Sequence, residues 1–160
     1  MRDGDTFINS EINQQPIIFR NRPRPVPPTS NTAWRISALI LTLSRCHGSA
    51  ASADHLNILM HSLRTPTTRA RFLAWWDGSF VAGIGSFNLE PSLDVTIRLA
   101  HADGLISVSP KGKIKLLEPG IQFSRAISRR EDVLTEEKQF LERIVPISTA
   151  KLTRAMALIR

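Results

Sequence analysis

Cysteine is nearly absent from this sequence: Cys46 is the single one in 160 residues. That count excludes an internal disulfide framework and a cysteine-ligated zinc site. Long apolar runs are missing too, with none near the ~18–20 residues that cross a bilayer. The opening residues Met1 to Asp5 lack the basic-then-apolar order of a secretory signal, so a cytoplasmic location without membrane is expected. No Gly-x-x-x-x-Gly-Lys-Ser/Thr phosphate loop occurs, because Lys111 and Lys113 flank Gly112 in a predicted hairpin turn. Gly83 and Gly85 make half of a dinucleotide fingerprint, but Asn88 stands at the third glycine position and no helix opens there. The four histidines assemble no metal set: His55 and His61 lie six apart on different helix faces, and His47 and His101 stand alone. Cys46 and His47 are chain neighbours and cannot pair locally as nucleophile and base. The acids Glu131, Asp132, Glu136 and Glu137 read as solvated charges near helix starts. No enzyme and no cofactor are expected.

What is present is a core and an uneven positive charge. Apolar residues make up 42% of the chain, enough for one domain with a tail, and the net charge is +7. Most of the excess lies in residues 107–130, where Lys111, Lys113, Lys115, Arg125, Arg129 and Arg130 face Glu118 alone. Such a patch attracts phosphate backbones or an acidic partner surface, the alternative being a merely solvated basic face.

Three regions follow from the patterning. Residues 1–31 form a proline-rich N-terminal arm, with five of the ten prolines between Pro16 and Pro28. Its prolines exclude a helix. Ile17, Ile18 and Phe19, followed by Arg20, Arg22 and Arg24, form a candidate partner-binding segment suited to β-augmentation, with a disordered tail as the alternative. Residues 32–118 open at Asn31 and Thr32 with a nearly all-round apolar helix reaching Arg45, predicted to be central and buried. A second helix follows Ser52 to Leu63. A third is capped by Thr65, starts at Pro66 and stops before Gly78, with Phe72, Leu73, Trp75 and Trp76 expected in the core. A fourth runs from about Pro91 to Asp103 and ends at Gly104. It leads directly into two short strands joined at Pro110 to Gly112, the hairpin signal. Residues 119–160 hold three more helical pieces, near 120–130, 135–144 and after Pro146, the last with Leu152, Met156 and Ile159 on one face.

Three helices and a fourth running into a basic hairpin make the expected fold mainly α with a small β-hairpin wing, a winged helix-turn-helix, plus a C-terminal helical extension. The helix before the wing has Leu93, Ile97 and Ala100 on one side, and Val95, Leu99 and Ala102 on the other. It is therefore expected to be packed on both sides, with Ile97 and Leu99 in the core. Its polar stripe of Asp94, Arg98 and His101 is near neutral, and Glu90 and Asp94 at its start oppose phosphate. A major-groove reader needs several donors there. DNA contact is thus expected from Lys111, Lys113, Lys115, Arg125, Arg129 and Arg130, to the backbone and without sequence preference.

Four segments together carry a family resemblance: the Arg22 to Pro28 arm before Trp34, the Ala100 to Ile106 helix-to-wing junction, Lys115 to Gly120, and Glu136 to Ile144. The layout resembles the middle component of three-component ABC systems, the small winged-helix subunit of Lamassu-type antiphage complexes. The resemblance implies a non-catalytic subunit in antiviral defence, bound to an SMC-like coiled-coil ABC ATPase and to an effector protein, often a nuclease. It also implies a complex that senses foreign or plasmid DNA and releases the effector. No catalytic residue is carried over with it. The competing reading is a stand-alone winged-helix transcription regulator, a symmetric dimer on a palindromic site.

Overall fold

The computed structural model describes residues 31–79, 90 and 92–157. The candidate arm residues Ile17, Ile18, Phe19, Arg20, Arg22 and Arg24 lie outside them, as do Gly83, Gly85 and Ile159.

Helix α1 (Thr32–Arg45) starts where Asn31 accepts from the Ala33 amide at 2.8 Å. Its residues Ala38 to Leu43 are all buried. Thr42 can join them because its hydroxyl donates to the Ala38 carbonyl, 2.7 Å away, leaving no unmet donor. A tight turn through Gly48 (φ 64°) leads into strand β1 (Ala50–Ser52). Ser52 then caps α2 (Ala53–Leu63) through the His55 amide. Helix α3 (Pro66–Trp76) opens on a full capping box between Thr65 and Thr68. Helix α4 (Leu93–Ala102) follows, then β2 (Ile106–Val108) and β3 (Lys113–Leu116). Three further helices complete the described chain: α5 (Glu118–Arg129), α6 (Thr135–Ile144) and α7 (Thr149–Ala157).

The protein is mainly helical with a small three-stranded antiparallel sheet, in the order β1-β3-β2. The third strand is an addition to the expected hairpin. Ala50 to Ser52 is too short to show alternation, and only its pairing with Lys113 to Lys115 makes it a strand.

Helix α1 is the axis of the core, packed by α2, α4, α5 and α6. Helix α3 packs on α6, and α7 on α2. Phe72 joins α3 to α6, its ring centroid 5.6 Å from that of Phe140 and also 5.6 Å from those of Trp75 and Trp76. Trp76 is buried and Trp75 half-buried, within the core as expected. Ile127, Phe140, Leu141, Ile144, Leu152 and Ala155 from the last three helices enter the same apolar cluster as α1 to α3.

Two glycines shape the link from α4 to α5. At Gly104 (φ 69°) the Leu105 amide reaches back to the Ala100 carbonyl and the Gly104 amide to that of His101, the Schellman closure. Gly120 sits in the first turn of α5, where an added Cβ would lie 2.2 Å from the Leu105 carbonyl oxygen. Helix and strand junction therefore touch backbone to backbone, which only glycine permits.

Helix α4 departs from expectation. It buries one side only, through Leu93, Thr96 and Ala100, with Ile97 half-buried. Leu99 is not core: it is 40% exposed, and Val95 is 45% exposed. Thr96 goes inward because its hydroxyl donates to the Ser92 carbonyl at 2.7 Å, which satisfies it without water. Among the described residues nothing covers the side bearing Val95 and Leu99.

Candidate polyanion interface

The strand alternation places the wing lysines. On β3, Ile114 and Leu116 are buried while Lys113 and Lys115 are exposed, so the two lysines share the outer face of the sheet. Their register partners are small: Ala50 and Ser107 flank Lys115, and Ser52 lies opposite Lys113. Neither ammonium group is covered by a bulky neighbour or answered by a carboxylate. Lys111 extends the row in the turn, which Gly112 (φ 74°) and the Gly112 amide to Ser109 carbonyl bond close.

Arg125 and Arg129 are spaced i,i+4 on α5 and share one helix face. They line a groove of about 440 Å³ with Arg45, the last residue of α1, and with Ser44, Ser49 and Leu116. On the other side of the Cys46 to Ala50 turn lies a recess of about 310 Å³, lined among others by Lys111, Lys113, His47 and His55. The α5 groove and the lysine recess are separate hollows with no lining residue in common, the first drawing on Ser49 and the second on Cys46, His47 and Ala50 of the same turn. Among the described residues no acidic one lines either hollow. Among the described residues, Lys111, Lys113, Lys115, Arg125 and Arg129 take part in no ion pair, and Arg45 only approaches Glu142, at 3.9 Å.

Arg130 differs from its five companions. It holds Asp132 with two hydrogen bonds, Nε to Oδ1 at 3.2 Å and Nη2 to Oδ2 at 2.9 Å. These bonds raise the arginine pKa and lower that of Asp132. Its charge is neutralised within the chain. Arg45, which lines the α5 groove, and His47 and His55, which line the lysine recess, are the residues that sequence reading missed. They stand outside the basic stretch 107–130 and reach the two hollows only through the end of α1, the α1–β1 turn and the start of α2. Burial holds the His55 pKa below its ordinary value, against a smaller opposing effect of Asp54.

The acidic clusters are not merely solvated. Glu136 pairs with Arg69 of α3, and Glu137 accepts from the Trp34 indole at 3.0 Å. Both tie α6 to the body of the protein.

Helix α4 offers little to a nucleic acid. Arg98 is paired with Asp94, and His101 Nδ1 donates to the Ile106 carbonyl at 3.0 Å. Glu90 turns inward to Arg64, 3.3 Å away, with the Ser92 hydroxyl on its other oxygen. Its solvent side shows Val95 and Leu99 where a reader would show donors.

Among the described residues, no group of three or more His, Cys, Asp or Glu side chains could hold a metal ion, and no helix is long and apolar enough to cross a membrane. Comparisons with protein-family models, curated proteins and solved structures find no match.

Proposed function

We propose that this chain is a non-catalytic winged-helix adaptor that lays double-stranded DNA across its basic face through phosphate contacts alone. The observation that carries this reading is a pair of basic hollows beside the α1–β1 turn, one lined by Arg45, Arg125 and Arg129 and the other by Lys111 and Lys113, with Lys115 exposed on the same strand and, among the described residues, no carboxylate lining either hollow. Among the described residues five of these cations form no ion pair and only Arg45 approaches a carboxylate, that of Glu142 at 3.9 Å, so the set is matched by a polyanion. The element order α1-β1-α2-α3-α4-β2-β3 and the strand order β1-β3-β2 support a winged helix with one extra helix before α4. The paired Asp94 and Arg98 and the apolar solvent side of α4 argue against base readout. In this reading, α4 and the arm serve protein partners. The family resemblance names those partners as an SMC-like ABC ATPase and an effector in antiphage defence.

The test is a titration of the protein with random-sequence and defined duplexes across a salt series. Affinity should fall steeply with salt and be the same for every sequence. Each lost phosphate contact lowers the slope of log K against log salt by about 0.9. The double variant Lys113→Gln, Lys115→Gln should therefore lose about two units of slope, and Arg130→Gln none. A duplex preferred over random DNA by ~10³ or more would make the transcription regulator the better reading. Absence of binding at the lowest salt would remove nucleic acid from the function.

A further inference from the structure

We infer that the groove between α1 and α5 is a discrete site for one phosphate group, held jointly by Arg45, Arg125 and Arg129. The inference rests on the phosphate-contact reading above and goes beyond it, since it separates this groove from the row of lysines. Lys113 and Lys115 stand on the exposed face of β3, the central strand of the sheet, and only Lys111 and Lys113 line a hollow together, so no third cation converges on them there. The three arginines instead line one hollow of about 440 Å³.

Two of them, Arg125 and Arg129, are neighbours on one helix face, an arrangement of like charges that weakens a helix unless an anion lies between them. The third comes from another element, so the groove draws positive charge from both of its walls. Among the described residues only Glu142 approaches any of the three, and at 3.9 Å from Arg45 it makes no hydrogen bond.

The other polar side chains lining the groove are four serines, Ser44, Ser49, Ser124 and Ser128. The hydroxyls of Ser44, Ser124 and Ser128 already donate to the carbonyls of Leu41, Ile121 and Ser124, at 2.6, 2.8 and 2.8 Å. They are small and self-satisfied, and they bring no competing carboxylate. Guanidinium forks match the tetrahedral oxygens of phosphate, and several can share one group. A backbone phosphodiester and a free phosphate offer that same chemistry.

The experiment has two arms. In the first, inorganic phosphate is added to the full chain and the thermal midpoint is followed. The midpoint should rise for the unaltered protein and for Lys113→Gln, Lys115→Gln, and should not rise for Arg125→Gln, Arg129→Gln. All four substituted residues are exposed, and circular dichroism checks that each variant is folded.

In the second arm, duplex binding is measured across salt for Arg125→Gln, Arg129→Gln and the double variant. One shared phosphate predicts that each single variant and the double variant lose the same slope, about 0.9. The double variant should then bind within about twofold of either single one, a marked failure of additivity.

Additive losses, with a slope change of about 1.8 in the double variant, would overturn the shared site. So would a phosphate-induced shift that survives removal of both arginines, or no shift in any form. A shift that requires the arginines, in a protein that binds no duplex, would uphold the site and sink only the nucleic-acid reading.

Discussion

Cys46 shows how much of a residue's behaviour depends on its surroundings. It closes α1, is 9% exposed, and donates from Sγ to the Thr42 carbonyl at 3.4 Å. Burial pushes its thiol pKa up to about 11. The nucleophilic thiolate is thus disfavoured in the folded protein. A group whose folded pKa is raised contributes stability below its unfolded pKa and loses it as pH rises through the folded value. The window here runs from about pH 9 to 11, and the loss should reach at most about 3 kcal/mol. Thermal midpoints of the native protein should drop faster with pH in that window than those of Cys46→Ala. A thiol that reacts with a maleimide as quickly in the native as in the denatured protein would contradict this. That Cys46 is alone was plain from the sequence. That it is buried and inert was not, because the end of an apolar helix can equally face water.

At the scale of elements, α4 separates what periodicity can and cannot say. Two apolar sides were read correctly as two sides, but apolarity does not require a covering element, since much of a folded surface is apolar. Helix α4 buries Leu93, Thr96 and Ala100 and packs on α1 and β2, while among the described residues Val95 and Leu99 on the opposite side stay partly exposed. Leu99→Ser is therefore expected to change stability by no more than ~0.5 kcal/mol. Leu39→Ala, in the middle of α1 with no exposure, should cost ~2–5 kcal/mol. Urea denaturation of both variants checks the contrast, and a loss at Leu99 as large as at Leu39 would mean the open side is covered after all. The capped helices, by contrast, were legible almost to the residue. Thr65, Pro66 and Gly78 bracket α3 as local chemistry requires, and Gly104 ends α4.

For the whole molecule, the three C-terminal helices are sewn into the body. Helix α5 lies along α1 and α6 bridges α1 and α3. Lys151 of α7 donates to the Trp76 carbonyl at 2.9 Å and stands 4.6 Å from the Trp76 ring centroid. Arg143 of α6 meets Asp77 at 3.0 Å. A chain ending at residue 118 would expose Phe72 where Phe140 had covered it and the sides of α1 on which α5 and α6 pack. It should lose the sharp thermal transition and bind a hydrophobic dye, the marks of a core without specific packing. A cooperative transition in that shortened chain would show instead that residues 32–118 fold alone.

The sequence by itself determined where the helices start and stop, that the core is built on residues 32–45, and that positive charge crowds residues 107–130. These follow from capping chemistry, apolar periodicity and counting, all of which act over a few neighbouring residues. Only the tertiary structure decided which charges share a face. Arg45 joins Arg125 and Arg129 because α1 and α5 pack together, and Arg130 leaves the set because Asp132 neutralises it. The outer sheet face exists because three residues after a glycine turn pair with a strand more than sixty positions away. Such contacts depend on how distant elements pack, which no local pattern encodes.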